Sequence, residues 1–122
     1  MKLIAILKSL LVLSWLSACA HTSDLEQRKQ TFEQHADDRL SNMNDNIKSL
    51  EKRSSQLLGE PRQQLNEAIS GLKQQVANSR AELGELKGRS GSTWVEKKEQ
   101  VDRQLYEMER SYNGALNVLS AH

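Results

Sequence analysis

The chain is short of the residues that make strands, covalent staples and enzyme sites. Among 122 residues there is one cysteine, one proline and one phenylalanine, and aromatic side chains make up only 4%. A single cysteine cannot close an internal disulfide, so stability has to come from packing. With aromatic and β-branched residues scarce and no sustained two-residue alternation, strands are unsupported. Charge of one sign is missing too: 17 Lys and Arg stand against 16 Asp and Glu, with the signs alternating along the chain. Nucleic-acid binding, which depends on clustered cations meeting phosphates, is disfavoured.

The usual catalytic and metal-binding constellations are absent as well. The histidines, His21, His35 and His122, form no i, i+4 pair, and no second cysteine completes a zinc set. His21, Ser23 and Asp24 are neighbours in sequence but have no scaffold to fix a triad's geometry. No glycine-rich phosphate loop follows a strand. Acidic pairs such as Asp37-Asp38 and Glu96 with Glu99 fall on the solvated side of helices. Glu85 with Arg89 and Glu99 with Arg103 are spaced as i, i+4 ion pairs on those faces. The expectation is therefore no enzyme, no cofactor, no metal and no small-molecule substrate.

What is present begins at the N-terminus. An apolar run from Leu3 to Leu16 is interrupted by Lys8 and falls short of the ~20 residues a spanning helix needs. Lys2 precedes it, and small residues close it, which is the layout of a secretory signal. Leu16-Ser17-Ala18-Cys19 resembles the lipobox of bacterial lipoproteins: an aliphatic residue, two small residues and a cysteine. That resemblance implies a signal peptide over 1–18, cleavage before Cys19, and a diacylglyceryl and acyl (palmitate-type) modification of Cys19. It also implies a lipidated tether over 19–23. More than one acyl chain is needed for stable anchoring, and this modification supplies enough. Ala20, rather than Asp, follows Cys19, which is similar to the pattern sent to the outer membrane in enteric-type bacteria. Removing 1–18 takes away Lys2 and Lys8 and no acid, so the net charge moves from +1 to −1.

Residues 24–122 read as helix throughout. Ala36, Leu40, Met43, Ile47, Leu50, Ser54 and Leu57 alternate steps of four and three. Leu25 and Phe32 extend that stripe upstream after a slip in phase. Leu65, Ile69, Leu72, Val76, Ser79, Leu83 and Leu86 form a second run, and Trp94, Lys98, Val101, Leu105, Met108, Tyr112, Ala115 and Leu119 a third. Three such seams with charged flanks predict coiled-coil packing. Ser54, Ser79 and Lys98 make the seams thin, and Gly71, Gly84 and Gly114 lie within helical runs at ~1 kcal/mol each relative to Ala.

The breaks are predicted from local signals. Ser23-Asp24-Leu25-Glu26 and Thr93-Trp94-Val95-Glu96 fit capping boxes. Gly59-Glu60-Pro61 suits a glycine C-cap with proline in the next first turn. The expected fold is all-α, with elongated coiled-coil-like antiparallel helices of roughly 35, 27 and 28 residues in an up-down-up bundle. The alternative is a hairpin in which residues 61–120 form one long second helix through Ser90-Gly91.

Trp94, Tyr106 and Tyr112 gather in the third run, as core and seam residues or as contacts to a partner. Leu86, Lys87, Ser90, Gly91, Trp94 and Lys98 occupy the Leu-Lys-x-x-Ser-Gly-x-x-Trp-x-x-x-Lys pattern of small stress-associated bacterial coiled-coil proteins. Their resemblance implies a stress-related role without catalysis. The lipidated coiled coil also resembles the major outer-membrane lipoprotein of enteric bacteria. That protein's C-terminal lysine link to peptidoglycan is not carried over, because this chain ends Leu119-Ser120-Ala121-His122. The expected function is a lipid-anchored, periplasm-facing structural or interaction protein, held on the membrane at Cys19 and associating with an envelope protein or with itself. The alternative is a membrane-active module whose helices lie on lipid; its narrow seams and mixed charges favour it less.

Overall fold

The computed structural model describes the backbone from Lys2 to Ala121 and side chains from Asp24 to Ala121. Cys19, His21, Ser23 and His122 therefore lie outside the residues whose side chains are described. Three helices make up the chain: α1 (Lys2–Ser54), α2 (Gly59–Lys87) and α3 (Gly91–Ser120). The described residues contain no strand. The fold is an all-α three-helix bundle, and the long-second-helix alternative is ruled out by the break between Lys87 and Gly91.

Spatial contacts divide the chain into two units, Met1–Gln34 and His35–His122. In the first, α1 runs unbroken through Ser23, so the helix start expected there is not observed. The leucine-rich run upstream favours helix on its own and carries the backbone past the capping signal. Thr31 Oγ1 donates to the Gln27 carbonyl at 2.8 Å, and Lys29 lies 3.9 Å from Glu33.

The second unit holds the core. Ala36, Leu40, Met43, Ile47 and Leu50 of α1 are buried against Leu65, Ile69, Leu72, Val76, Leu83 and Leu86 of α2 and Val101, Leu105, Met108 and Ala115 of α3. The seam serines are buried as well, Ser54 at 4% exposure and Ser79 at 2%. Ser54 Oγ donates to Asn66 Oδ1 on α2, which satisfies a polar group that would otherwise cost stability there. Leu57, Tyr112 and Leu119, expected within the seams, are only half-buried.

The helices run antiparallel in sequence order, with side-chain bridges marking the register. Lys87 pairs with Asp37 at 2.8 Å and Lys73 with Glu51 at 3.2 Å, tying α2 to α1 in reverse. Arg39 joins α1 to α3 by bonding Asp102 at 3.1 Å and Glu109 at 2.7 Å through Nε. Exposed pairs like these each contribute little, about 0–1 kcal/mol, but they identify which residues face each other.

Both reversals centre on a glycine. α1 ends at Ser54, ahead of the Leu57-Leu58 stop read from the sequence. Leu58 is extended, and Gly59 takes a left-handed φ of 68° as the first residue of α2, rather than capping α1. Pro61 then sits in the first turn, where a missing N–H costs nothing. Ser90 is extended and Gly91 has a φ of 59°, so α3 begins there and not at Thr93. Thr93 Oγ1 instead donates to the Ser90 carbonyl at 2.8 Å. In each case a left-handed backbone that only glycine adopts cheaply sets the reversal, and at Gly91 it does so ahead of the capping signal at Thr93.

Candidate interaction site

Three inter-helix grooves surround the core, and they differ in what crosses them. The α1/α2 groove is bridged by Lys73–Glu51, Lys87–Asp37 and Ser54–Asn66. The α1/α3 groove is spanned by Arg39. The α2/α3 groove is closed at one end only, by Lys97. From Asn78 and Gln100 to Ala68 and Gly114, no side-chain hydrogen bond or ion pair crosses it among the described residues.

That open stretch has two halves. One is polar and bulky, a hollow of about 350 Å³ lined by Gln75, Asn78, Gln100, Arg103, Gln104 and Glu107. The other is lined mostly by small side chains, a hollow of about 450 Å³ bordered by Ala68, Gly71, Leu72, Ser111, Gly114 and Ala115. Gln75 borders both, so the two hollows adjoin at that side chain. A Cβ added at Gly71 or Gly114 would meet nothing within 4 Å, so packing inside the protomer does not require these glycines. Gln75 Oε1 and Gln104 Oε1 are buried acceptors without a hydrogen-bond partner in the protomer. Such orphaned amide oxygens cost stability until something donates to them.

At the closed end Lys97 is buried, 8% exposed, between Glu82 and Glu85 of α2. Its ammonium donates to Glu82 and lies 3.2 Å from Glu85. The hydrogen bond to Glu82 holds Lys97 above the ordinary lysine range, against the opposing pull of burial, and Glu85 adds to the rise. The seam was expected to place Lys98 inward. Between Trp94 and Val101 the helix can step three then four as well as four then three, and the carboxylates of α2 select Lys97. Lys98 is half-buried beside it. Glu85 turns to Lys97, and neither Glu85–Arg89 nor Glu99–Arg103 forms as an ion pair among the described residues.

The three aromatic residues do not make one patch. Trp94 is enclosed at 4% exposure, Tyr112 is half-buried at the seam, and Tyr106 is 64% exposed. At about 100° per residue, Tyr106 points roughly 120° away from the direction of the other two. A partner could touch Tyr106 directly, but Trp94 only if the end of the bundle opened. The groove between α2 and α3 was not anticipated; its only sequence trace was the pair of costly glycines at 71 and 114. Among the described residues, no cluster of His, Cys, Asp and Glu could hold a metal ion, and no helix is long and apolar enough to cross a membrane. No protein-family model, curated protein or solved structure matches the chain.

Proposed function

We propose that the chain is a lipid-anchored protein of the bacterial envelope, held on the periplasmic face of the outer membrane at Cys19. Its helical bundle acts there by contacting protein and not by chemistry. The observation that carries this reading is Leu16-Ser17-Ala18-Cys19 at the end of a short apolar run. It places the chain's only thiol where a lipoprotein signal ends. The role in interaction is supported by the α2/α3 groove, where two adjoining hollows are crossed by no side-chain hydrogen bond or ion pair among the described residues.

The membrane-active alternative is disfavoured by the way the apolar residues are spent. Those of the bundle are largely consumed in the core, and the large exposed ones among the described residues, Leu25, Leu58, Val95 and Tyr106, are scattered along the chain. A lipid-lying module needs them on one wide face.

Radiolabelled palmitate incorporation with membrane fractionation, native chain against Cys19→Ala, tests the anchor. Label and membrane residence are expected in the native chain and lost in the variant. An unlabelled native chain would remove the lipid from the proposal.

A further inference from the structure

We infer that the end of the bundle at the 55–58 reversal is a docking tip for an anionic phospholipid surface. Leu58 enters the bilayer interface there, and Lys52, Arg53 and Arg62 meet the headgroup phosphates. This goes beyond the protein contact proposed above, and the tip needs no lipid at Cys19.

Two observations meet at this reversal. The first is apolar exposure. Leu58 has an extended backbone ahead of α2 and is 82% exposed, more than Leu25, Val95 or Tyr106. Left in water, it forgoes the transfer free energy that the core leucines gain.

The second is unspent positive charge. Lys52 and Arg53 lie in the last turn of α1, and Arg62 is the fourth residue of α2. All three are exposed and form no ion pair or side-chain hydrogen bond among the described residues. Between Ser54 and Asn66 the only acid is Glu60, and Glu51 is already held by Lys73 at 3.2 Å. The up-down-up order brings the end of α3 to the same side, and Ser111 to Ala121 carries no charged side chain. The 88–90 reversal differs on both counts. It contains no apolar side chain, and the nearby cations Lys87 and Lys97 are taken by Asp37, Glu82 and Glu85.

Depth agrees with charge. Arg62 is one turn from Leu58, about 6 Å along the helix axis. Interfacial apolar groups bury about 5–10 Å into the boundary of headgroups and acyl chains, so Arg62 falls at phosphate level when Leu58 is immersed. Beside it a hollow of about 350 Å³ lies between α1 and α2, with Ser55, Arg62 and Asn66 in its lining. Ser54 Oγ donates to Asn66 Oδ1, which leaves the amide NH₂ of Asn66 to donate outward. The Arg62 guanidinium adds a donor fork suited to phosphate. The contact is that of one reversal and leaves the core closed, unlike helices laid flat on lipid.

Capture between vesicles tests the tip. The full chain is reconstituted in phosphatidylcholine vesicles, and capture of dye-loaded, protein-free vesicles is read by flotation. Vesicles of equal parts phosphatidylglycerol and phosphatidylcholine are expected to be captured, and pure phosphatidylcholine vesicles are not. Capture should weaken as salt rises. Lys52→Gln, Arg53→Gln and Arg62→Gln combined should lower the apparent affinity on the order of a hundredfold, about fivefold for each cation. Leu58→Ser should lower it roughly tenfold with helicity and Tm unchanged, because the side chain is exposed. Arg89→Gln, at the opposite reversal, should leave it as it is.

No capture of anionic vesicles would overturn the inference, as would equal capture of both kinds or an equal loss from Arg89→Gln. Capture indifferent to Leu58→Ser but displaced by inorganic phosphate would assign the hollow to a free oxyanion and overturn the membrane reading. A chain that the first vesicles do not retain would refute the anchor alone, and direct flotation with anionic vesicles then reads the same variants.

Discussion

α2 and α3 each carry two stripes at the same three-four spacing, and the stripes behave in opposite ways. Inward, Leu65, Leu72, Leu83 and Leu86 meet Val101, Leu105 and Met108 and exclude water. Outward, Ala68, Gly71, Gln75 and Asn78 face Gln100, Gln104, Ser111 and Gly114 across open space. Helical period alone does not decide whether two rows of residues close on each other. Size and polarity do: branched aliphatics gain from contact at once, whereas glycines and amides leave a face whose gains wait for something else.

The sharpest way to break this contrast is to empty the inner stripe. Leu105→Ala, at a site with no measurable exposure, is expected to cost about 2–5 kcal/mol. Thermal or urea unfolding should show a large loss; a loss below that range would mean the core collapses readily around the gap. Next, Ser54→Ala removes the bond to Asn66 and should cost about 0.5–1.5 kcal/mol, the usual net value of a buried hydrogen bond. Asn66→Ala made in the same series should give a similar loss that does not add to it.

In the outer stripe the sign reverses. Gly71→Ala should stabilise the protomer by up to ~1 kcal/mol through helix propensity, since its Cβ meets nothing. A destabilised variant would show that something already occupies that space. The smallest effect fades at alkaline pH. The folded chain holds the Lys97 proton more tightly than the unfolded chain, whose value is 10.5. Its contribution is therefore complete below 10.5 and is lost as pH rises through the raised folded value. Lys97→Met, which leaves Glu82 and Glu85 without their cation, should lower Tm at neutral pH, and the gap from the native chain should narrow above pH 10.5. Superimposable Tm curves would show that the pairing with Glu82 and Glu85 does not contribute.

The inner stripe was legible because apolar side chains mark it. Ala36 through Leu50, Leu65 through Leu86, and Val101 through Met108 were placed by spacing and are all buried where expected. The polar seam positions Ser54 and Ser79 were legible for the same reason, by interpolation between leucines. The register near Trp94 was not, since an apolar pattern cannot distinguish Lys97 from Lys98 when neither is apolar. The carboxylates that decide it come from α2, fifteen residues earlier for Glu82. Helix starts were misplaced wherever a capping box competed with a stronger local preference, the upstream helix at Ser23 and the left-handed glycine at Gly91. The outer groove left almost no trace, because small and amide residues carry no hydropathy signal and only their cost to the helix was visible.

The brevity of the two reversals, residues 55–58 and 88–90, also has a kinetic meaning. Every core contact between neighbouring helices is made by closing a hairpin, so little of the chain must be searched before packing begins. Closing a loop of about ten residues takes on the order of 10–100 ns, and helical bundles built from such near-sequence contacts fold in microseconds to milliseconds. A protein with serines in its core is opened by thermal fluctuation more often than one with leucines throughout. Rapid reclosure makes those openings brief, and cleavage by a protease then follows how often the chain is open, rather than how quickly it unfolds.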